Sequence, residues 1–387
     1  MKGNPELLRQ LNERRIFNTI RLKGPISRVA LQRQTNLTLP TVSRAVETLL
    51  EHGWVRSIGV ADSSGGRPPE MLEICAGGAG AIGVEIGRQE ARVVYVNLVA
   101  EVEAETSIDI HELDGPNHLI AYLQNFIETY GVDKSRILGV GVAAPGTVDA
   151  PGGRILYPSD LPEAWHGAEI VQQIGNGLHL QAWIENDANA AALGETWFGK
   201  GLDKRHSIFI LADAGVGAGV VIDGKIYSGS NSTTGEFSHT IVDIHGETCI
   251  CGRRGCLNTA VSIYNIDRAI RAGRSRADGE SFDTVIANAK RQLNPDADVL
   301  HRFFEYLSVG ISNLVQVLDP GMVILGGRML LADSFMTDSV IMGVREICGD
   351  GHFEILPTSF GMNAVAVGAA TLVLQSLFDH TQLVAHP

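Results

Sequence analysis

Between His239 and Cys256 the chain offers four soft metal donors: one imidazole, then Cys249-x-Cys251-x4-Cys256 starting ten residues later. One imidazole and three thiolates match a closed tetrahedral zinc site with bonds of about 2.0–2.3 Å, which leaves no coordination position for catalysis. Such a zinc ion is structural and pins a loop that packs poorly without it. Gly252 and Gly255 suit the tight turn that ligands so close in sequence demand. Two other uses of the thiols stay open. An iron–sulfur cluster takes similar ligands but lacks its usual spacing here, and three unrelated free thiols need no metal. Of five cysteines (75, 249, 251, 256 and 348), three crowd into eight residues, which in a reducing compartment favours metal over disulfide.

A second polar constellation is Glu185-Asn186-Asp187-Ala188-Asn189, where a strand from Trp183 meets an alanine-rich helix. Asn and Asp are ordinary helix caps. Three polar residues in a row behind a buried strand exceed what one cap needs, so Asn186 and Asp187 are candidate ligand-binding residues. Glycine-rich turns add to this. Ile82–Gly87 reads as a buried strand followed by another at Ala91–Leu98. The same grammar returns at Ile208–Gly219, with its second strand at Val220–Ile222 and a turn at Asp223-Gly224. The repeated acid-x-Gly, Glu85-x-Gly87 and Asp213-x-Gly215, is an internal duplication. Two such hairpins facing each other grip phosphate in actin-like ATPase folds, because glycine lets backbone N–H groups approach an anion. A strand at Ile137–Val142 runs into Ala144-Pro145-Gly146. A long amphipathic helix over Leu300–Val317 leads to a strand ending in Gly326-Gly327, either a nucleoside approach or a packed strand end.

Ahead of these elements stands a different pattern. Leu7–Ile20 has helical spacing and ends at Gly24-Pro25; Ser27 caps a second helix over Arg28–Thr35; Asn36-Leu37-Thr38 is a tight turn; and Pro40 opens a third helix. Val42, Ala45, Val46, Leu49 and Leu50 form its packing face, while Thr41, Ser43 and Arg44 point away. Trp54–Val60 and Met71–Ile74 read as strands around a wing that contains Arg67. This is a winged helix-turn-helix whose third helix enters the major groove, with Thr41, Ser43 and Arg44 on phosphates and base edges and Arg67 in the adjacent minor groove. A trihelical packing domain with a solvated polar face is the plainer alternative. Charge argues against it: residues 1–70 carry 11 Lys/Arg against 6 Asp/Glu, while the whole 387-residue chain has a net charge of −13. A basic head on an acidic body meets DNA at one end only.

The length implies two or three domains. No run approaches the roughly 18 apolar residues of a membrane span, and the N-terminus lacks a secretory apolar segment. A cytoplasmic protein is expected.

The chain resembles the ROK family (repressors, open reading frames and kinases) essentially from end to end. The specific signature is Thr234-Gly235-Glu236-Phe237-Ser238-His239-Thr240 followed by Cys249-Ile250-Cys251-Gly252-Arg253-Arg254-Gly255-Cys256-Leu257, joined by Glu185–Asn189 and Ala144-Pro145-Gly146. The resemblance implies an actin-like (ribonuclease H-like) two-lobed α/β fold. Residues 1–78 would be the winged head, 79–190 the first lobe, completed by a C-terminal helix at about 370–387, and 191–369 the second lobe with the zinc site. It also implies that Asn186, Asp187, Glu236 and His239 face a sugar, His239 using its other nitrogen for zinc, and that Asp187 would be the general base in a kinase. Asp160 stands where the family's sugar loop usually has asparagine, and Asn258 where kinases usually have a sugar-contacting glutamate. Family kinases have Asp-x-Gly-Gly-Thr and Gly-Thr-Gly in the phosphate loops; here Glu85-Ile86-Gly87-Arg88-Gln89 and Asp213-Ala214-Gly215 stand instead. The expectation is a sugar-responsive repressor that binds operator DNA as a homodimer or homotetramer and has no membrane partner. The competing expectation is an ATP-dependent sugar kinase with a DNA-binding head.

Overall fold

The computed structural model describes residues 5–60, 69–157, 161–275, 280–349, 351 and 353–378. The head runs α1 (Pro5–Lys23), β1 (Ile26–Ser27), α2 (Arg28–Thr35), α3 (Leu39–Glu51), β2 (Val55–Val60) and β3 (Glu70–Ile74). Both short helices start on a hydroxyl cap: Ser27 Oγ accepts the Ala30 N–H at 3.2 Å, and Thr38 Oγ1 accepts that of Thr41 at 3.4 Å. Asn36 ends α2 in the left-handed region, at φ 52°. Val42, Ala45, Val46 and Leu49 bury the inner face of α3. The two strands expected around the wing are joined by a third, β1, which pairs with β3. Arg67 and Asp160 lie outside the described residues.

The first lobe contains β4 (Gly80–Ile86), β5 (Glu90–Asn97), β6 (Val102–Asp109), α4 (Pro116–Thr129), β7 (Ile137–Ala144), β8 (Thr147–Asp149), β9 (Arg154–Tyr157), α5 (Ile170–Leu178) and β10 (Ala182–Asn186). Then α6 (Asp187–Phe198) leads to β11 (Ser207–Ala212), β12 (Val216–Ile222), β13 (Lys225–Ile226), α7 (Asn258–Val261), α8 (Ile263–Gly273), α9 (Phe282–Lys290) and α10 (Asp296–Leu318). β14 (Met322–Gly326), α11 (Arg328–Leu331), α12 (Ser334–Cys348), β15 (Glu354–Pro357) and α13 (Ala364–Phe378) complete the chain.

The duplication extends from the hairpins to whole sheets. One sheet has the order β10-β7-β4-β5-β6 and the other β13-β12-β11-β14-β15. In each, an antiparallel meander flanks the central strand on one side and two parallel strands on the other. The helix following each sheet crosses to the other. A Cβ added at Gly83 or Gly141 of the first sheet would sit 2.0 or 1.8 Å from the Ala366 or Ala369 carbonyl of α13; one at Gly219 of the second sheet would sit 2.2 Å from the Ala188 carbonyl of α6. These glycines exist for helix-on-sheet contact. That explains one departure from the sequence reading: Gly217 and Gly219 belong to β12, which begins at Val216 and not at Val220.

Two further corrections follow from α13. It begins at Ala364, earlier than expected, and residues 379–387 are outside the described set. Contrary to the apolar-run reading, Gly361–Phe378 reaches a mean hydropathy of 1.5 over 18 residues and is long and apolar enough to cross a membrane. Its composition has a simpler cause here, because Ala366, Val367, Ala369, Ala370, Val373 and Leu374 are all buried against the lobes. The head is not a bead on a string. Ile16, Phe17, Ile20, Val42, Val46 and Leu72 belong to one continuous buried cluster with Val94, Val96, Val373, Leu374 and Phe378 of the body.

Candidate functional site: a polar pocket beside a metal-ligand cluster

Between the lobes opens a pocket of about 570 Å³. Its lining includes Arg88, Gly146, Asn186, Asp187, Glu236, His239 and Asn258, so five of the residues singled out from sequence converge there. The positioning is local chemistry. Asn186 caps α6, its Oδ1 accepting the N–H groups of Ala188 (3.0 Å) and Asn189 (3.2 Å), while its Nδ2 donates to the Gly146 carbonyl at 3.1 Å. The Ala144-Pro145-Gly146 turn therefore anchors the cap, with Gly146 at φ 83°. Only one Nδ2 hydrogen of Asn186 remains for a ligand. Asp187 follows in the first turn, one oxygen taking the Ala188 N–H at 2.8 Å. Burial raises its pKa to about 6, with Arg88 pulling the other way.

His239 ends a short turn, Phe237–His239, and joins two sites. Its Nδ1 lies 3.6 Å from Cys249 Sγ, and Cys251 Sγ lies 3.6 Å from Cys256 Sγ. The four donor atoms all fall within 4.8 Å of one another. Tetrahedral bonds of about 2.3 Å to sulfur put neighbouring donors about 3.6–3.8 Å apart, so the quartet fits a metal ion the size of zinc. Gly255 makes the turn possible: at φ 73°, any Cβ there would lie 1.5 Å from the Asp243 carbonyl. Asn258 Nδ2 also approaches Cys249 Sγ, at 3.9 Å, tying this pocket residue to the cluster.

The phosphate loops present a contrast. Asp213 and Gly215 close the β11–β12 turn with a 2.9 Å hydrogen bond, and Gly87 N–H donates to the Glu90 carbonyl at 3.0 Å across the β4–β5 turn. Between the turns only about 20 Å³ is open, room for about one water. Guanidinium groups occupy the rest. Arg328 lies 2.9 Å from Glu90 Oε1 and 3.6 Å from Asp213 Oδ2, bridging the lobes, and Arg92 lies 2.6 Å from the same Glu90 oxygen. Arg88 reaches under Gly215, where an added Cβ would be 2.9 Å from its Nη1. Burial, then the neighbouring Asp213, raises Glu85 to about 8; burial likewise raises Asp213. The Gly326-Gly327 pair is a packed strand end: a Cβ on Gly326 would meet the Phe209 ring at 2.4 Å.

Sequence reasoning missed the arginine filling. The available signal was a basic residue directly after two of the glycines, Arg88 after Gly87 and Arg328 after Gly327. On α3, Arg44 is exposed and Thr41 and Ser43 half-exposed, but Thr41 Oγ1 already pairs with Thr38 Oγ1 at 2.9 Å.

A winged helix-turn-helix on a duplicated, two-lobed α/β body with a polar cleft defines a DNA-binding protein built on an actin-like scaffold. The chain belongs to the ROK family, whose model matches residues 81–376, and the winged helix-turn-helix DNA-binding model matches residues 9–56. It is 28% identical over 384 residues to the xylose repressor of Bacillus subtilis (strain 168), covering 96% of this chain and 97% of that protein. It is 26% identical over 349 residues to the N-acetylglucosamine repressor of Escherichia coli O6:H1, covering 87% and 85% respectively. A solved ROK family transcriptional regulator, described as a homologue of the E. coli MLC protein, superposes with a TM-score of 0.81 at 27% identity, covering 98% of each chain.

Proposed function

We propose that this chain is a sugar-responsive repressor that binds operator DNA through α3 and its wing, and is released when a sugar or sugar derivative draws the two lobes together. The observation that carries the reading is the contrast inside one cleft: a roomy polar pocket with Asp187, Glu236 and His239 on its walls, beside phosphate loops filled by arginines. The ligand acts by binding one lobe arrangement better than the other. Asp187 and Glu236 accept hydrogen bonds from hydroxyl groups, His239 Nε2 offers a further polar contact, and Asn258 takes the place of a carboxylate. Asp160 is assigned to the sugar loop, and Thr41, Ser43, Arg44 and Arg67 to DNA. The relatives' names make pentoses and N-acetylated hexosamines the first sugars to test.

His239, Cys249, Cys251 and Cys256 would hold a structural zinc ion, which supplies a fixed charge and a crosslink for the loop. Through them the pocket face of His239 is held in one orientation. The working divisions are a head at 1–78, a first lobe at 79–190 with the C-terminal helix, and a second lobe at 191–369. The protein works in the cytoplasm as a homodimer or homotetramer, since half-sites one helical turn apart need paired heads.

A kinase reading has one specific support, the raised pKa of Asp187, which suits a general base. Against it, Asp213 puts an additional carboxylate where polyphosphate would lie and Arg328 closes the gap. Titration calorimetry with ATP and magnesium separates the two: no nucleotide heat is expected. The main reading is tested by gel shift on DNA from the gene's own upstream region, with D-xylose, D-glucose and N-acetylglucosamine titrated in. Sugar-dependent release is expected, and absence of specific DNA binding at moderate salt under every condition overturns it.

A further inference from the structure

The two ends of α6 meet the two functional ends of the protein. Its N-terminus carries Asn186 and Asp187 in the pocket. Twelve residues later, about 18 Å along a helix of 1.5 Å rise, its C-terminus touches the head. The Trp197 carbonyl is one of the last four of the helix and has no partner within it. It accepts a hydrogen bond from Arg21 Nη1, on α1 of the head. A cation at that end also meets the negative pole of the helix.

Arg21 is held on all sides. Asn18 Oδ1 accepts from its Nε at 3.0 Å and its Nη2 at 2.9 Å. Its guanidinium carbon lies 4.6 Å from the Trp197 ring centre, 5.4 Å from that of Phe198 and 5.3 Å from that of Phe378. Burial lowers its pKa to about 10, so it stays charged at neutral pH. The charge is thus satisfied by a carbonyl, an amide and three ring faces. If α6 shifts so that the Trp197 carbonyl withdraws, a half-buried cation loses its acceptor, and α1 must move with it. Phe17, one turn before Arg21, stacks on Phe378 at 4.6 Å and on Trp54 at 5.7 Å. Ile16, Phe17 and Ile20 share their buried cluster with Val42, Val46 and Leu49 of the DNA-reading helix.

We propose that Arg21 is the positioning residue through which the sugar pocket controls the DNA head: α6 transmits displacement of Asp187 to the Trp197 carbonyl, and Arg21 converts it into reorientation of α1 and α3. This rests on the sugar-responsive reading. It adds a named contact that touches neither sugar nor DNA.

The test compares full-length wild type, Arg21→Met and Arg21→Lys in three measurements. Calorimetry with D-xylose, D-glucose and N-acetylglucosamine reads the pocket. Amide hydrogen exchange with and without the sugar that binds reads residues 187–192 and 5–23. Operator affinity with and without that sugar reads the output. In wild type, sugar changes exchange in both segments and weakens operator binding by about tenfold or more. In Arg21→Met, sugar affinity and protection at 187–192 persist, the response of 5–23 disappears, and the sugar effect on operator affinity falls below about twofold. Arg21→Lys, which keeps the charge but not the planar fork, gives an intermediate response. Sugar that binds and protects 187–192 while 5–23 responds equally in wild type and Arg21→Met overturns the role of Arg21. No binding heat with any of the three sugars on wild type overturns the sugar reading and this inference with it.

Discussion

The polar pocket and the cleft between the hairpin turns share a wall, with Arg88, Asp187, Leu211, Asp213 and Ala214 lining both, yet one encloses about 570 Å³ and the other about 20 Å³. Both descend from the same duplicated hairpins. The pocket is shaped by the Glu236–His239 turn and the cysteine loop, while the cleft lies between the hairpin turns and takes in Pro145, Asp187 and Arg328 besides. Arg328, which lines the cleft and not the pocket, therefore closes the one without entering the other. A scaffold that binds two ligands side by side can lose one and keep the other when separate segments define them.

The comparison breaks most severely at the metal-ligand cluster. Cys251→Ser, or chelation of the wild type, is expected to lower stability by about 3 kcal/mol and to weaken sugar binding by about a hundredfold, read by thermal unfolding and calorimetry. Unchanged sugar affinity in a folded, metal-free protein would separate pocket from cluster. Next is the shared wall. Asp187→Asn removes a charged acceptor worth about 1.5–3 kcal/mol, so sugar affinity drops about 10- to 100-fold. Its pH profile should change as well: with the proposed contact made by the carboxylate, wild-type affinity falls as pH drops through about 6, and the asparagine variant shows no such step. The smallest effect belongs to the cleft. The folded state holds the Glu85 proton more tightly than the unfolded chain, so native stability contributed by that proton is complete below about 4.5 and lost as pH rises through about 8. Glu85→Gln is expected to match wild type near pH 5 and to exceed it by about 1 kcal/mol near pH 9, with sugar affinity unaltered. Equal stability at both pH values would mean that the cleft carboxylates are not in conflict.

What could be read from the residues was what local spacing encodes. The caps Ser27 and Asn186, the inner face of α3, the His239 and cysteine quartet and the duplicated hairpins all fall within single elements or turns. What escaped joins distant segments. Arg328 meets Gln89 and Glu90 across more than two hundred residues, and no periodicity relates them. Gly217 and Gly219 look like loop because glycine is rare in strands; the approach of α6 explains Gly219 inside the strand. Arg21 is one of several arginines between the apolar positions of α1, and nothing in the sequence distinguishes the one that faces the body. The apolar stretch ending at Phe378 is hard to see in the sequence, since alanine and glycine dilute a run that is continuously buried only from Ala364 to Thr371.

The core shared by head and body bears on how such proteins can be recombined. A cut after residue 78 takes Phe17 away from Phe378, and Arg21 away from Trp197 and Phe198. A chimera that grafts a new DNA-reading head onto this body would therefore leave a mismatched socket unless the last turns of α6 and α13 travel with it. The unit of exchange between relatives is a head plus two helix ends some 180 and 360 residues downstream of α1, and operator specificity can be transplanted with its sugar response intact only when all three pieces come from the same parent.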